Sequence, residues 1–365
     1  KINHFLKYFK MLVIEKYDQY EIAQKHFIEN DWMFKVALYG NTLDYAFLKR
    51  LQLTRTQIRD LVDGNTIFKG DGILKGKPKP EPYTSLVNLP VVENKEVKRY
   101  FTPVNEKTKR LELVDTYLEK GRQIELFQGQ HVYLKAQTLD ETDIVVSYAD
   151  TTVVHKHDVI SITSESRIEK IKALYGILVS NLFTYYQFLT SSAWGVGTRP
   201  AIKAEEYLAF PYIQIDEASR RRLLDLVERF LQLYRDYYSS NQIVETERRE
   251  EILLQIDDTI KSVYEVSSHE QDLIDYVLQV SRYQFQESKQ QRYLYKVHTE
   301  KAFLYRYASV YVEEFANIYP NEYLHVEVYP LQYFIAMNFV FRKDKPQDGE
   351  NVVFPTDKQD ETAIL

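Results

Sequence analysis

Residues 123–163 read QIELFQGQHVYLKAQTLDETDIVVSYADTTVVHKHDVISIT. Three runs inside this stretch, QIELFQGQHVYLKAQ, TDIVVSYAD and TTVVHKHDVISIT, are short, rich in β-branched and aromatic residues, and closed by polar breaks. That texture predicts strands of a β-rich body. Downstream the period changes. Ile168, Ile171, Leu174, Tyr175 and Leu178 recur at helical spacing, and Ser166 with Glu169 fits a capping box, so a helix is expected over 166–190. A loop, SSAWGVGTRP, and a strand-like stretch through Phe210 to Ile215 follow. Three amphipathic helices are then expected, the first with Leu223, Leu224, Val227, Phe230, Leu231 and Tyr234 on its apolar face and Arg220, Arg221 and Arg222 on a solvated one. Alternation from Phe303 to Phe341 predicts a small antiparallel strand pair on a helix. Upstream, Gly64, Gly70, Gly72, Gly76, Pro78, Pro80 and Pro82 forbid a continuous helix, whereas Phe27–Leu38 and Leu43–Leu51 suggest two helices broken at Gly40 and Asn41. The expected class is α+β: a helical connector (1–63), a β-rich domain (64–215), a helical spacer (216–300), a small αβ element (301–345) and a polar tail (346–365).

Hydrophobic residues make up 44% of the 365 and charged residues 27%, which places the chain among folded proteins. With no Cys, disulfides, thiolate catalysis and Cys-ligated zinc are excluded, and an intracellular, cytoplasmic setting is expected. No run approaches the ~20 apolar residues of a membrane helix. Thirty Tyr and nineteen Phe give many rings, suited to packing or to base stacking. The net charge of −6 hides a local reversal: residues 66–110 hold ten Lys or Arg against five acids, a balance of +5.

Several chemistries have no sequence basis. There is no glycine-rich turn after a strand for a methyl donor, no Asn/Asp-Pro-Pro-aromatic motif for a flipped base, no P-loop and no nucleophile elbow. The one Gly-x-Gly, at Gly195 and Gly197, follows a helix and precedes Pro200. Asp71 with Glu96 and Lys98 loosely satisfies a metal-nuclease spacing, with a surface charge cluster as the plainer reading. His155 and His157, beside Asp158, suit two metal ligands on one side of a strand or a polar, solvent-facing strand edge.

The stretch Lys172–Phe230 carries a resemblance. Leu178, Asn181, Leu182, Tyr185 and Tyr186, then Trp194, Gly195, Arg199 and Lys203, then Leu208, Phe210 and Pro211 follow one pattern. It resembles the C-terminal, TaqI-like target-recognition region of adenine-specific (N-6) DNA methyltransferases and type IIG-like restriction-modification proteins, and is similar in plan to type I specificity subunits. Upstream, WMFKVALYGNTLDYAFLKRL, KGDGILKGKPKP and LVNLPVVENKEVKRYFTP match in order, so the likeness covers roughly residues 30–235. It implies sequence-specific recognition of double-stranded DNA for a methyltransferase domain of the same polypeptide or of a partner subunit, with S-adenosylmethionine as that domain's cofactor. This chain itself is expected to be non-catalytic and to hold no cofactor or metal. Because it begins without Met inside a structured element, a longer parent polypeptide is expected. Candidate DNA-binding residues are Lys69, Lys75, Lys77 and Lys79 for phosphates, with simple solubility as the other reading of these lysines, then Lys98 and Arg99, and Trp194 with Arg199 and Lys203, the last two suited to base reading or to phosphate clamping. Trp194 is equally suited to plug the core beneath its loop. A second class of reading makes the helices over 217–285 a scaffold for a partner protein.

Overall fold

The three β-branched, aromatic runs form strands. The computed structural model describes residues 21–76, 82–119, 122–136, 143–157, 159–192, 194, 201–240, 244–282, 300–330, 335–344 and 350–355. The chain divides into two units, residues 1–282 and 283–365. In the first, β1 (Phe68–Asp71), β3 (Tyr100–Phe101), β4 (Gln130–Lys135), β5 (Val146–Ala149) and β7 (Val159–Ser164) form a sheet of order β1-β7-β4-β5-β3. All neighbours are antiparallel except β3 and β5. A parallel pair, β2 (Val91–Val92) with β6 (Val154–His155), lies outside this sheet. Facing residues in register share a side of the sheet. Val132, Ile162 and Tyr148 therefore lie on one side, and His131, Tyr133, Ser147, Ser161 and Thr163 on the other. Both sides are buried.

Helix α4 (Ile168–Leu178) packs on the Val132 side, where Tyr175 meets Tyr148 at 5.4 Å between ring centroids. Where one helix is expected over 166–190, there are two: α5 spans Asn181–Thr190. Ser180 breaks the run. It adopts an extended conformation, and its hydroxyl accepts the Phe183 N–H at 3.2 Å, an N-cap that outweighs helical continuity. Nor does Ser166 cap α4; Arg167 stands at that position and its N–H bonds Ser164 Oγ at 2.9 Å.

The tyrosines are mostly structural. The rings of Tyr175, Tyr185, Tyr207 and Tyr264 are buried, and their hydroxyls reach the Tyr100 carbonyl, Asp44, the Lys135 carbonyl and the Pro211 carbonyl at 2.8–2.9 Å. Each joins apolar burial to a polar tether between distant segments. Asp44 sits in the capping box of α3 (Thr42–Gln52), which follows α1 (Gln24–Glu29) and α2 (Met33–Tyr39); burial pushes its carboxyl up to about 6, against the bonds from Tyr185 and Asn41.

Past α6 (Ala204–Leu208), the expected spacer helices are α7 (Glu217–Ser240), α8 (Thr246–Val263) and α9 (Ser268–Gln279). The buried stripe of α7 uses Leu226 where Leu224 is expected, because Leu226 lies three residues from Leu223. Arg220 and Arg221 bond Glu217, the paired, solvated face expected there. Arg235 grips Asp150 in a two-pronged pair at 2.8 and 3.0 Å and also bonds Glu228, fixing α7 to the sheet. Arg50 holds Glu270 in the same manner, joining α3 to α9.

Asp257, on α8, accepts the Asn181 N–H at 2.8 Å, the Asn181 side-chain amide at 3.2 Å and Lys261 at 2.7 Å, all at the start of α5. Asp257→Ala leaves two part-buried donors of Asn181 and the Lys261 ammonium without their acceptor, so a loss of about 1–2 kcal/mol is expected. Urea denaturation measures it, and a loss below about 0.5 kcal/mol would mean these bonds stabilise nothing.

In the second unit, α10 (Lys301–Ile318) covers a three-stranded sheet of order β10-β8-β9, in which β8 (Tyr323–Pro330) and β9 (Ile335–Arg342) form the expected antiparallel pair. Leu304, Ala308, Leu324, Val326 and Val328 form its core. Residues 346–365 are not wholly a polar tail. Val352–Val353 form β10, parallel to β8, because Val352 has an apolar socket and the Val326 N–H bonds the Asn351 carbonyl at 2.7 Å. Among the described residues no helix is long and apolar enough to cross a membrane.

Candidate nucleic-acid interface

Strand direction brings cations together. Since β4 runs against β5 and β7, and β5 runs with β3, the end of β4 and the starts of β3, β5 and β7 meet at one end of the sheet. Lys135 ends β4, Lys98 and Arg99 precede β3, and Asp143 precedes β5. Asp143 is shared by Arg99 at 3.0 Å and Arg282 at 2.6 Å. Lys135 titrates below its usual range, first because it is partly buried and then because Lys98 repels it. Arg99 also stacks over Tyr100, 4.8 Å from the ring centroid. Beyond Lys135, the Ala136 carbonyl accepts the Ile202 N–H at 2.8 Å, and the exposed Lys203 follows directly.

A second group surrounds Asp115. Lys75 bonds it at 2.9 Å and holds its carboxyl below the usual range; Lys156 and Lys109 add to the effect from further off. The approach of two backbones sets this group. Ile73 donates to the His155 carbonyl at 2.8 Å, and a Cβ on Gly72 would stand 2.0 Å from that same oxygen, so only glycine fits. Asp143 is thus shared between two guanidinium groups, while Asp115 pairs with Lys75 and feels Lys156 and Lys109 from further off.

The candidates fare unequally. Lys75, Lys98, Arg99 and Lys203 are exposed at these groups. Lys69 is exposed on β1 but faces Glu205, 3.5 Å away. Lys77, Lys79 and Arg199 lie outside the described residues, as do Gly195, Gly197 and Asp158. Trp194 is a correction: it is fully buried, edge-on to Phe188 at 5.3 Å, so it plugs the core and cannot stack on a base.

His155 is likewise no solvent-facing edge. Strand β6 ends at it, its ring is fully buried between Phe127 and Tyr133, and His157 falls in the following turn. The alternation that would align the two rings stops there. Glu96 accepts the Glu93 N–H at 2.7 Å and Lys98 donates to the Lys95 carbonyl at 3.1 Å, so both act as local caps of a 3-10 turn. Among the described residues no group of three His, Cys, Asp or Glu could hold a metal ion.

Sequence reasoning missed Lys135, Lys156, Arg282, Asp115 and Asp143. Charge counting over one window could not find them, since tertiary packing brings them in from five separate segments. Lys135, as the polar close of an apolar run, was the one local signal.

No family model matches the sequence, and no curated protein matches it. Among solved structures it is similar to the type IIL restriction-modification enzyme MmeI in complex with DNA (12% identity, 47% of this chain and 23% of that one, TM-score 0.31). It is also similar to the type IIG restriction endonuclease BpuSI (9% identity, 62% and 34%, TM-score 0.31). A third is from a type I restriction-modification system (10% identity, 65% and 54%, TM-score 0.26). The chain thus spans between about a quarter and about half of the lengths of the structures it matches.

Proposed function

We propose that this chain is a recognition module for duplex DNA, and that it positions a site for an adenine-specific methyltransferase domain that uses S-adenosylmethionine. One observation carries the reading: Lys75, Lys109 and Lys156 surround Asp115, while Arg99 and Arg282 share Asp143 and Lys98 acts on Lys135 at the same end of the sheet, on a chain whose overall charge is negative. Phosphates draw cations that local carboxylates only partly neutralise, and a duplex presents one negative charge per ~1.7 Å of axis. These residues hold the backbone. Base reading falls to segments beside them, with Lys203 and, beyond the described residues, Arg199 as the proposed donors, while Lys77 and Lys79 join the phosphate contacts.

The test is selection from a randomised duplex pool by the purified chain, followed by sequencing of the retained DNA. Enrichment of one short motif is the expected result. Retention with no enriched motif would reduce the chain to an unspecific DNA binder, and no retention at low salt would remove the proposal.

A further inference from the structure

One carboxylate ties together two points eleven residues apart. Glu206 Oε1 accepts the Ser192 N–H at 2.7 Å, and Oε2 accepts the Lys203 N–H at 2.8 Å. The platform beneath Glu206 is firm. Its carbonyl accepts the Gln187 side-chain amide at 3.1 Å, and the next residue, Tyr207, is fully buried with its hydroxyl on the Lys135 carbonyl at 2.9 Å. Trp194 and Ile202, just inside the two tied points, are fully buried as well. Nearby, the buried Lys35 ammonium donates to the Phe188 carbonyl, and the negative charge of Glu206 favours its protonated form against burial.

Binding a ligand costs less when the residue that meets it is already fixed, so a backbone tie at Lys203 lowers the ordering cost of its contacts. The two bonds here are charge-assisted and geometrically distinct, one per oxygen. Lys203 is the residue so fixed, next to the Ile202–Ala136 bond that leads to the cationic end of the sheet.

We infer that Glu206 is a positioning residue for DNA recognition: it clamps Ser192 to Lys203 and thereby sets where Lys203 meets the duplex. This rests on the DNA-binding reading above. It assigns Glu206 to discrimination between sequences, leaving phosphate attraction to the cationic groups.

The full chain carrying Glu206→Ala or Glu206→Gln tests it with two readouts. In hydrogen exchange, peptides containing the Ser192 and Lys203 amides should exchange at least about tenfold faster in the Ala variant, with distant peptides unchanged. Gln, which keeps one acceptor oxygen, should fall between. In DNA binding, the preference for the selected duplex over a scrambled one should drop about tenfold in the Ala variant, while affinity for the scrambled duplex stays. Unchanged exchange at the two amides would overturn the clamp. Faster exchange with intact discrimination, or a parallel fall in binding to both duplexes, would overturn the positioning role. A wild-type chain that prefers no duplex would refute the DNA-binding reading and the role together, while exchange still decides the clamp.

Discussion

Between pH 7.5 and pH 5, His155→Leu is expected to gain about 2 kcal/mol of stability relative to the wild-type protein, because it removes a buried ring that acid would otherwise charge. His131 and His155 are both fully buried, and both are depressed from 6.5 to about 3. Burial is the main cause; His131 is lowered further by the nearby His155, and His155 by Arg122. Neutral carbonyls, of Phe127 for His131 and Gly70 for His155, oppose this weakly. Between pH 6.5 and about 3 the unfolded chain binds protons that the folded chain refuses. Stability from these neutral rings is therefore complete above about 6.5 and falls as the pH drops towards 3, by ~1.4 kcal/mol per pH unit for each ring.

Asp44 works the other way. Its folded form holds a proton up to about 6, so it favours folding as the pH falls from there towards 3.8. For that reason the informative quantity is the difference between variant and wild type, in which Asp44 cancels. Leucine suits the site because neither nitrogen of His155 has a hydrogen bond of good geometry and its neighbours Phe127 and Tyr133 are aromatic. Urea midpoints at several pH values supply the measurement. A variant-to-wild-type difference that does not move with pH would show that His155 is charged or solvated in the folded protein.

The second large effect is on binding. Replacing Lys75, Lys109, Lys156, Lys98, Arg99 and Lys135 together by Ala is expected to weaken duplex binding by at least about tenfold near 0.1 M salt and to flatten its salt dependence, because each lost cation removes a site of counterion release. Either triple set alone should give an intermediate loss. Arg221 and Arg222 are the control, since they are exposed cations on α7, away from the sheet end, and Arg221 is already paired with Glu217. Their replacement by Ala should leave affinity within about threefold. Equal losses from the control pair and the sheet-end set would mean that net charge, and not its placement, governs binding. Circular dichroism and thermal unfolding of each variant separate lost contacts from lost structure.

Periodicity made much of this fold legible. The strands β4, β5 and β7 lie where β-branched, aromatic runs closed by polar breaks place them, because both of their faces are buried, and the helices α7, α8 and α9 lie where helical spacing places them, because one face of each is buried. What it could not reveal was decided by single residues or by long-range pairing. Ser180 ends a helix whose apolar pattern runs straight through it, since the cap is a local bond and not a matter of hydrophobicity. Trp194 is open in the sequence between groove reader and core plug, and His155 between metal ligand and solvent-facing edge, yet tertiary packing encloses both. The cationic groups depend on strand order, which carries Lys135 to Lys98 and Lys156 to Asp115 from segments far apart in the chain.

The salt dependence of duplex binding by the unmodified chain tests the central claim most directly. A fluorescence-anisotropy titration of a labelled mixed-sequence duplex, repeated from about 50 to about 200 mM salt, should give an affinity that falls linearly on logarithmic axes with a slope of about −4 or steeper. Absent binding at the lowest salt, or a slope near zero, would contradict a phosphate-gripping surface at this end of the sheet.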